Sequence, residues 1–443
     1  MMKKLFYVVF ISSGFSFFSF RAVAQQKEAD TLLQHATLDA CVQYALKHYP
    51  LVQQALLDEQ ITEHQIKSKL ADWYPQLNLN ANYFNYFQIP SVYFAGTYVK
   101  SGTYNTSVVG LNLSQNIFNR DVLLAAKTKG DVRTQIRQTT VSDKIDVTVN
   151  VSKAFYDVLL TKQQIAVLDD DILRLERNLK DTYNQYQGGI VDKTDYKRAT
   201  ITLNNSKAER KTDIELLKAK YDILKQLMGY QGKDSIKLVY DSVQMVSQIY
   251  VDTLATVDYT KRIEYQTLMT QRRLQQADIK YNKWDYIPSV SAVGTYEFNY
   301  LNNQFSQLYA NNFPISYAGI QVSFPIFEGS KRVHNIKIAE LQLTRLDWDI
   351  INTQNLISSQ YSQALAAYKG YLTDYYILRD NLDLANEVFK TIELQYRSGI
   401  KAYLELITAE TDLRTAQVNF SNALYQVLSS KLDVQKALGT IQY

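Results

Sequence analysis

The feature that most limits this fold is a stretch the chain writes twice. Residues 185–196 read QYQGGIVDKTDY, and residues 395–406 read QYRSGIKAYLEL. In each copy a long charged helical pattern stops at a small-residue turn, Gly188-Gly189 or Ser398-Gly399. A second helical pattern then runs to a terminal glycine, Gly229 or Gly439. The likeness extends well beyond the hairpin. Residues 50–79, PLVQQALLDEQITEHQIKSKLADWYPQLNL, match 263–292, IEYQTLMTQRRLQQADIKYNKWDYIPSVSA, without a gap, and GLNLSQNIF at 110–118 matches GIQVSFPIF at 319–327. Identity is low, but landmarks keep their order and spacing at an offset of about 210 residues, which is the mark of a duplicated module.

Within each module the periodicity changes twice. Helical segments at about 37–73 and 262–285 are each followed by a two-strand region, expected as hairpins at 76–118 and 289–327. Long helices follow at 121–187 and 329–397, then a turn and return helices at 193–228 and 402–438. The modules so bounded are 25–229 and 262–443, with 230–261 joining them. Where they approach the turns, the long helices carry apolar residues stepping by three and four. Ile165, Leu168, Ile172, Leu175, Leu179, Thr182 and Tyr186 form one such stripe, and Ile214, Leu217, Tyr221, Leu224 and Met228 answer it on the return helix. In the second module Leu378, Leu382, Ala385, Phe389, Ile392 and Tyr396 repeat it. Such stripes predict helices packed side by side as coiled coil. A helix of about 65 residues is roughly 100 Å long, so the molecule must be elongated. Only 6 Pro and 15 Gly in 443 residues agree with long unbroken helices.

The strands alternate. Leu77, Leu79, Ala81 and Tyr83 interleave with Asn78, Asn80 and Asn82, and Val109, Leu111, Leu113 and Ile117 with Gly110, Asn112, Ser114 and Asn116. Ile320, Val322, Phe324 and Ile326 face away from Gln321 and Ser323. One apolar and one polar face suits a small soluble sheet with a wet side, and equally a strand tilted across a bilayer. Aromatic residues near the strand ends (Tyr83, Phe84, Tyr86, Phe87; Tyr296, Phe298, Tyr300) favour membrane girdles, as does the high tyrosine count of 34. The connections 90–106 and 302–315 read as long polar loops. Two modules supply four strands, and an open edge is not tolerated in lipid. Closure therefore calls for further copies: two would give eight strands with a filled interior, three would give twelve and a lumen, which the Asn- and Ser-rich inner faces favour.

The first residues read as a secretory signal peptide, 1–24. Lys3-Lys4 give the positive start, Leu5 to Phe20 the apolar run, and Ala22-Val23-Ala24 the cleavage site before Gln25. A retained anchor is the alternative, disfavoured by the short, serine-interrupted run. The single cysteine, Cys41, forbids an internal disulfide and reads as a small buried residue of the first helix. A net charge of +4 with no basic aromatic run gives no reason to expect nucleic acid. His35, His48, His64 and His334 form no metal-binding spacing, and phosphate-loop, dinucleotide and nucleophile-elbow motifs are absent. Asp169-Asp170-Asp171 reads as the solvated face of a charged helix. No enzyme and no cofactor are expected.

On these residues the chain resembles the TolC-like outer-membrane efflux family across essentially the whole mature sequence. The likeness rests on the signal peptide, the duplicated module, and the turns Tyr186-Gln187-Gly188-Gly189-Ile190 and Tyr396-Arg397-Ser398-Gly399-Ile400. TLDACVQYALKHYP (37–50) is similar to the family's opening helix, and FPIFEGSKR (324–332) to its exit from the barrel. The resemblance implies a mixed α+β membrane protein. Four strands per protomer would join a homotrimeric twelve-stranded outer-membrane barrel, continued by a coiled-coil tunnel into the periplasm. Its implied partners are outer-membrane lipid, a periplasmic adaptor protein and an inner-membrane pump of the RND, ABC or a similar class. The tunnel would be the exit duct of a tripartite efflux or type I secretion system, and residues 230–261 would form a belt around it.

Carried over by alignment, Thr194 and Asp195 after the first tip, with Tyr396 and Lys401 at the second, match the contacts that close the family's tunnel mouth. The family often has Arg where Lys401 stands, so a bidentate bridge is lost here. Glu405 matches an acidic ring lining the mouth, and Thr408 replaces a second acidic position. Such a ring would favour cations. Gly189, Ile190, Gly399 and Ile400 match the tips on which an adaptor docks. The plain alternatives are solvated helix ends and turn geometry alone. For the whole chain the rival is a soluble periplasmic coiled-coil scaffold or adaptor.

Overall fold

The computed structural model describes residues 36–232, 236–239 and 242–443; the expected signal peptide lies outside them. In chain order the elements are α1 (Leu38–His48), α2 (Pro50–Ala71), β1 (Gln76–Asn85), β2 (Ser91–Phe94), β3 (Thr97–Lys100) and β4 (Asn105–Phe118). The two long helices of the first half, α3 (Arg120–Gln187) and α4 (Lys193–Met228), follow. Then come α5 (Ser242–Ser247), α6 (Ile263–Lys283), β5 (Ser289–Asn302), β6 (Ile315–Ser323), α7 (Lys331–Arg397) and α8 (Tyr403–Leu438).

Two local departures from the sequence reading have simple causes. The opening helical segment is two helices rather than one, because Pro50 cannot continue the ladder of α1 and Tyr49 before it takes an extended ψ of 128°. Pro50 instead sits at the start of α2, where its missing N–H costs nothing. The connection at 90–106 is no plain polar loop. Val92, Tyr93 and Phe94 pair with Val99, Tyr98 and Thr97 in a small hairpin, turned by Ala95 (φ 46°) and Gly96 (φ 87°). Two positive φ values give a turn whose twist matches that of the strands, and the flanking residues are strong strand formers.

The main sheet is antiparallel in the order β1-β4-β5-β6. Its central pairing joins the two halves of the chain, Leu111 opposite Tyr296 and Asn112 opposite Thr295. Register keeps the faces separate: Leu77, Leu79 and Ala81 oppose Leu113, Leu111 and Val109, while Asn78 opposes Asn112. On the polar face Thr295 Oγ1 donates to Asn112 Oδ1 at 3.0 Å. Gly110 lies under Glu297, whose Cγ would stand 3.0 Å from a Cβ added there. The outer strands β1 and β6 are exposed along their whole length, and both sheet edges are unpaired among the described residues.

Below the sheet, α3, α4, α7 and α8 run as two antiparallel hairpins. The α3 chain of 68 residues is roughly 100 Å long at 1.5 Å per residue. The main core lies where α1 meets these helices. Cys41, Ala45, Val151, Leu224, Met228, Val427 and Val434 are buried there together. Burial raises the Cys41 thiol well above its ordinary value, which makes it a packing group. Each return helix ends on a glycine pressed against the backbone that opens its own half: Gly229 (φ 67°) against His48 and Tyr49, Gly439 (φ 68°) against Lys261. A Cβ would stand 2.5 Å from His48 O in the first case and 2.7 Å from Lys261 O in the second.

Both glycines meet backbone that cannot move aside, so Gly229→Ala and Gly439→Ala should each destabilise the protein by about 2 kcal/mol or more. Gly319→Ala, facing open space at negative φ, should stay within about 1 kcal/mol. Urea unfolding followed by circular dichroism checks the contrast.

Candidate functional site: the paired helix tips

Each long helix stops in the same way. At the first tip Ile190 N–H donates to Gln185 O (2.9 Å) and Gly189 N–H to Tyr186 O (3.0 Å). At the second, Ile400 N–H donates to Gln395 O (2.9 Å) and Gly399 N–H to Tyr396 O (3.0 Å). This is the paired-bond helix stop that needs a left-handed residue after the last turn, supplied by Gly189 (φ 73°) and Gly399 (φ 74°). The residue after that glycine commonly packs back on its helix. Here Ile190 and Ile400 stay 77% and 72% exposed, so each tip presents an aliphatic side chain to its surroundings.

The return helices restart differently. Asp192 caps α4, its Oδ1 accepting from Thr194 N–H (2.7 Å) and Thr194 Oγ1 (2.9 Å). Those bonds, the backbone one first, hold its carboxyl below the usual range. Thr194 is therefore committed to its own helix start within a protomer, while the half-buried Asp195 makes no ion pair among the described residues. Helix α8 starts at Ala402 without a side-chain cap. Lys401 spans that start to pair with Glu405, which offsets part of the Glu405 charge in place. Tyr396 Oη donates to Gln185 Oε1 (3.4 Å), tying the second tip to the first, and its ring meets Tyr403 edge-on at 6.0 Å. Within one protomer, then, Tyr396 and Gln185 come together across the hairpins. Asp195 and Lys401 keep separate company.

Roughly 20 Å along the helices from the turns lies a charged cluster that periodicity did not reveal. Glu410 on α8 is 2% exposed and accepts from Arg174 Nε (3.1 Å) and Asn178 Nδ2 (3.0 Å), both on α3. The second guanidinium nitrogen of Arg174 reaches Asp171 Oδ1 at 3.4 Å. Asp171, also 2% exposed, accepts from Ser206 Oγ of α4 (3.0 Å). Arg414 of α8 donates to the same hydroxyl (3.1 Å) and to Glu209 (3.3 Å), standing 3.8 Å from Asp171. Phe389 of α7 lies under the Arg174 guanidinium, 5.6 Å from ring to Cζ. All four long helices meet at this point. Asp171 is thus no part of a solvated acidic face: Asp170 is exposed and Asp169 is half-exposed and paired with Arg210, but the third aspartate turns inward. A run of three acids cannot show which one faces a neighbouring helix. The usable signal was Leu168, Leu175 and Asp171 on one helical stripe.

Desolvation, first, and the neighbouring Asp171 charge raise Glu410 to about 7, against the lowering effect of Arg174 and Asn178. Tyr403, 2% exposed, has a hydroxyl with no partner, and burial followed by Glu410 pushes its pKa up.

A sequence profile of the family described as outer membrane efflux protein matches residues 41–230 and 266–440. The chain is 21% identical over 462 residues to the outer membrane protein TolC of Escherichia coli (strain K12), covering 99% of this chain and 87% of that one. It is 20% identical over 357 residues to the alkaline protease secretion protein AprF of Pseudomonas aeruginosa, covering 76% and 70%. Among solved structures, CusC, described as forming a transmembrane channel, superposes with a TM-score of 0.74 at 16% identity over 92% of each chain.

Removing the guanidinium from the charged cluster strands two buried carboxylates. Arg174→Met should therefore destabilise the protein by about 3 kcal/mol at pH 8, and by less at pH 5.5, where Glu410 is neutral. Urea unfolding at the two pH values measures both.

Proposed function

The chain belongs to the outer membrane efflux protein family, and from that premise we propose that three copies build an exit duct gated at the helix tips. It is an outer-membrane channel protein, and its family is one of channels rather than enzymes. The observation that carries the trimeric reading is the four-stranded sheet with two bare edges. An unpaired strand edge costs several kcal/mol per buried group in hydrocarbon. One chain cannot close this sheet on itself, because four strands do not make a barrel. Pairing β6 of each copy with β1 of the next satisfies both edges at once.

In that barrel the face bearing Leu77, Leu79, Leu111 and Leu113 meets lipid, and the face bearing Asn78, Asn80, Asn112 and Thr295 lines water. A substrate then meets a wall rich in amides and hydroxyls, on which Val108, Val293 and the carboxylate of Glu297 also lie. Below, α3, α4, α7 and α8 of three copies continue the wall across the periplasm. No described helix is long and apolar enough to cross a membrane, so the bilayer is left to the strands.

At the mouth, Thr194 and Asp195 of one hairpin approach Tyr396 and Lys401 of a neighbouring one to hold the closed state. Lys401 then has two acidic partners to choose between, its own Glu405 and Asp195 across the gap. Opening breaks the contact with Asp195 and leaves Lys401 to Glu405, whose threefold copies form an acidic ring that favours cations. Gly189, Ile190, Gly399 and Ile400 dock a periplasmic adaptor, and the exposed isoleucines give that contact its apolar centre. The adaptor in turn couples the duct to an inner-membrane pump, which selects the cargo.

Cross-linking of native membranes should give a species of three times the monomer mass, and a monomeric limit would sink the assembly. In planar bilayers, Asp195→Ala combined with Lys401→Ala should raise single-channel conductance several-fold. Unchanged conductance with an intact trimer would remove these two residues from the gate and leave the channel standing.

A further inference from the structure

The tips are the obvious place to look for what holds the two hairpins of a protomer together, but among the described residues their polar cross-contact is one long hydrogen bond, Tyr396 to Gln185, beside apolar packing of Leu179 and Ala199 against Tyr403 and Leu406. The stronger connection is the buried cluster further along. It is short of positive charge where it matters. Arg174 serves two carboxylates, Glu410 through Nε and Asp171 through its terminal nitrogen, while Arg414, bonded to Ser206 and the exposed Glu209, stands 3.8 Å from Asp171 and makes no ion pair with Glu410 among the described residues. Glu410 thus shares one guanidinium with a second buried acid. Apart from Arg174, the amide of Asn178 is its only donor among the described residues.

We propose that Asp171, Arg174, Ser206, Glu410 and Arg414 form a proton-linked clasp between the hairpins. In it Glu410 holds a proton while α8 is packed on α3 and α4, and releases it when they part. Among the described residues, the charged and titratable groups around Glu410 are Asp171 and Arg174 on α3, Glu209 on α4 by way of Arg414, and Tyr403 and Arg414 on α8 itself; α7 brings the ring of Phe389 under Arg174 and Tyr396 against Tyr403. Protonation removes a charge that has half a partner and leaves Arg174 wholly to Asp171. Asn178 still donates to the neutral carboxyl. Parting the helices admits water, which restores the ordinary carboxylate and its charge.

The direction follows from the raised value of Glu410. Between the ordinary glutamate range and about 7, the packed state binds a proton that the parted state does not. The clasp is therefore tightest in acid, weakens as pH rises through that window, and levels off above it. A consequence for gating rests on the channel reading: acid on the periplasmic side keeps the hairpins of each protomer together whatever the tips do.

Hydrogen exchange of the purified full-length protein tests the contact itself, with no need of conductance. After correction for the chemical exchange rate, protection of peptides spanning 168–178 and 406–416 should fall tenfold or more between pH 5 and 7.5. Peptides from α6, remote from the cluster, should not change. In Glu410→Gln the same peptides should hold a pH-independent protection close to the acid value of the parent. A parent profile flat with pH, or a Glu410→Gln variant that follows the parent's slope, would overturn the proposal. If the variant does not fold, infrared titration of the parent decides. A buried carboxylic acid carbonyl band must appear as pH falls through about 7, and its absence overturns the clasp.

Discussion

An unpaired peptide group has nowhere to turn in hydrocarbon, and most of this architecture follows from that. Strands β1 and β6 lie bare along their length, each with an apolar face beside the open edge. In water such edges would be blunted by charge, proline or a bulge. Neither strand carries a charged residue. The sheet is built as a fragment of a cylinder. The joint between β4 and β5 already pairs two duplicated halves edge to edge, and the proposed joints between copies repeat it.

The helical half obeys a different economy. Helices of this length cannot be buried by a globular core, so each is held by narrow stripes along its neighbours. The stripes are interrupted at intervals by polar devices. At the tips the device is backbone geometry: one left-handed glycine lets a helix stop in a single turn. At the far ends it is close approach, where Gly229 and Gly439 let the return helices rest on backbone. Between them the charged cluster ties all four helices at one level. A buried ion cluster adds little net stability against well-packed apolar residues, but breaking it is costly. That asymmetry suits a joint that must hold one alignment and release it as a unit.

Much of this was legible in the residues. Alternation in LNLNAN and GLNLS named the strands and their faces, and three-four spacing named the helical stripes. The doubled Gly-Ile turns marked the tips because glycine meets the left-handed backbone demand there at the least cost. Other features were hidden for physical reasons. Residues 90–106 looked like loop because their hairpin is only four residues a side and its Ala-Gly turn is an uncommon pair for it. The break at Tyr49-Pro50 was masked because apolar spacing continues across it while the backbone does not. Among the residues proposed for the gate, the pairing of Lys401 with Glu405 and of Thr194 with Asp192 is local chemistry that a comparison of aligned positions does not weigh.

Periodicity, turn chemistry and repetition are short-range properties, and the order of residues alone determined whatever depends on them: the elements, their amphipathic faces, the turns and the doubling. What the order could not decide is which side chains of a polar face meet a neighbour. Asp169, Asp170 and Asp171 are chemically one word; only the crossing of α4 and α8 over α3 buries the third and leaves the others wet. Glu410 lies on a helix that also carries the half-exposed Glu405, and nothing in its near neighbours marks it for burial. Its environment, and with it a carboxyl that titrates near neutrality, comes from residues some 235 positions away brought within hydrogen-bonding distance.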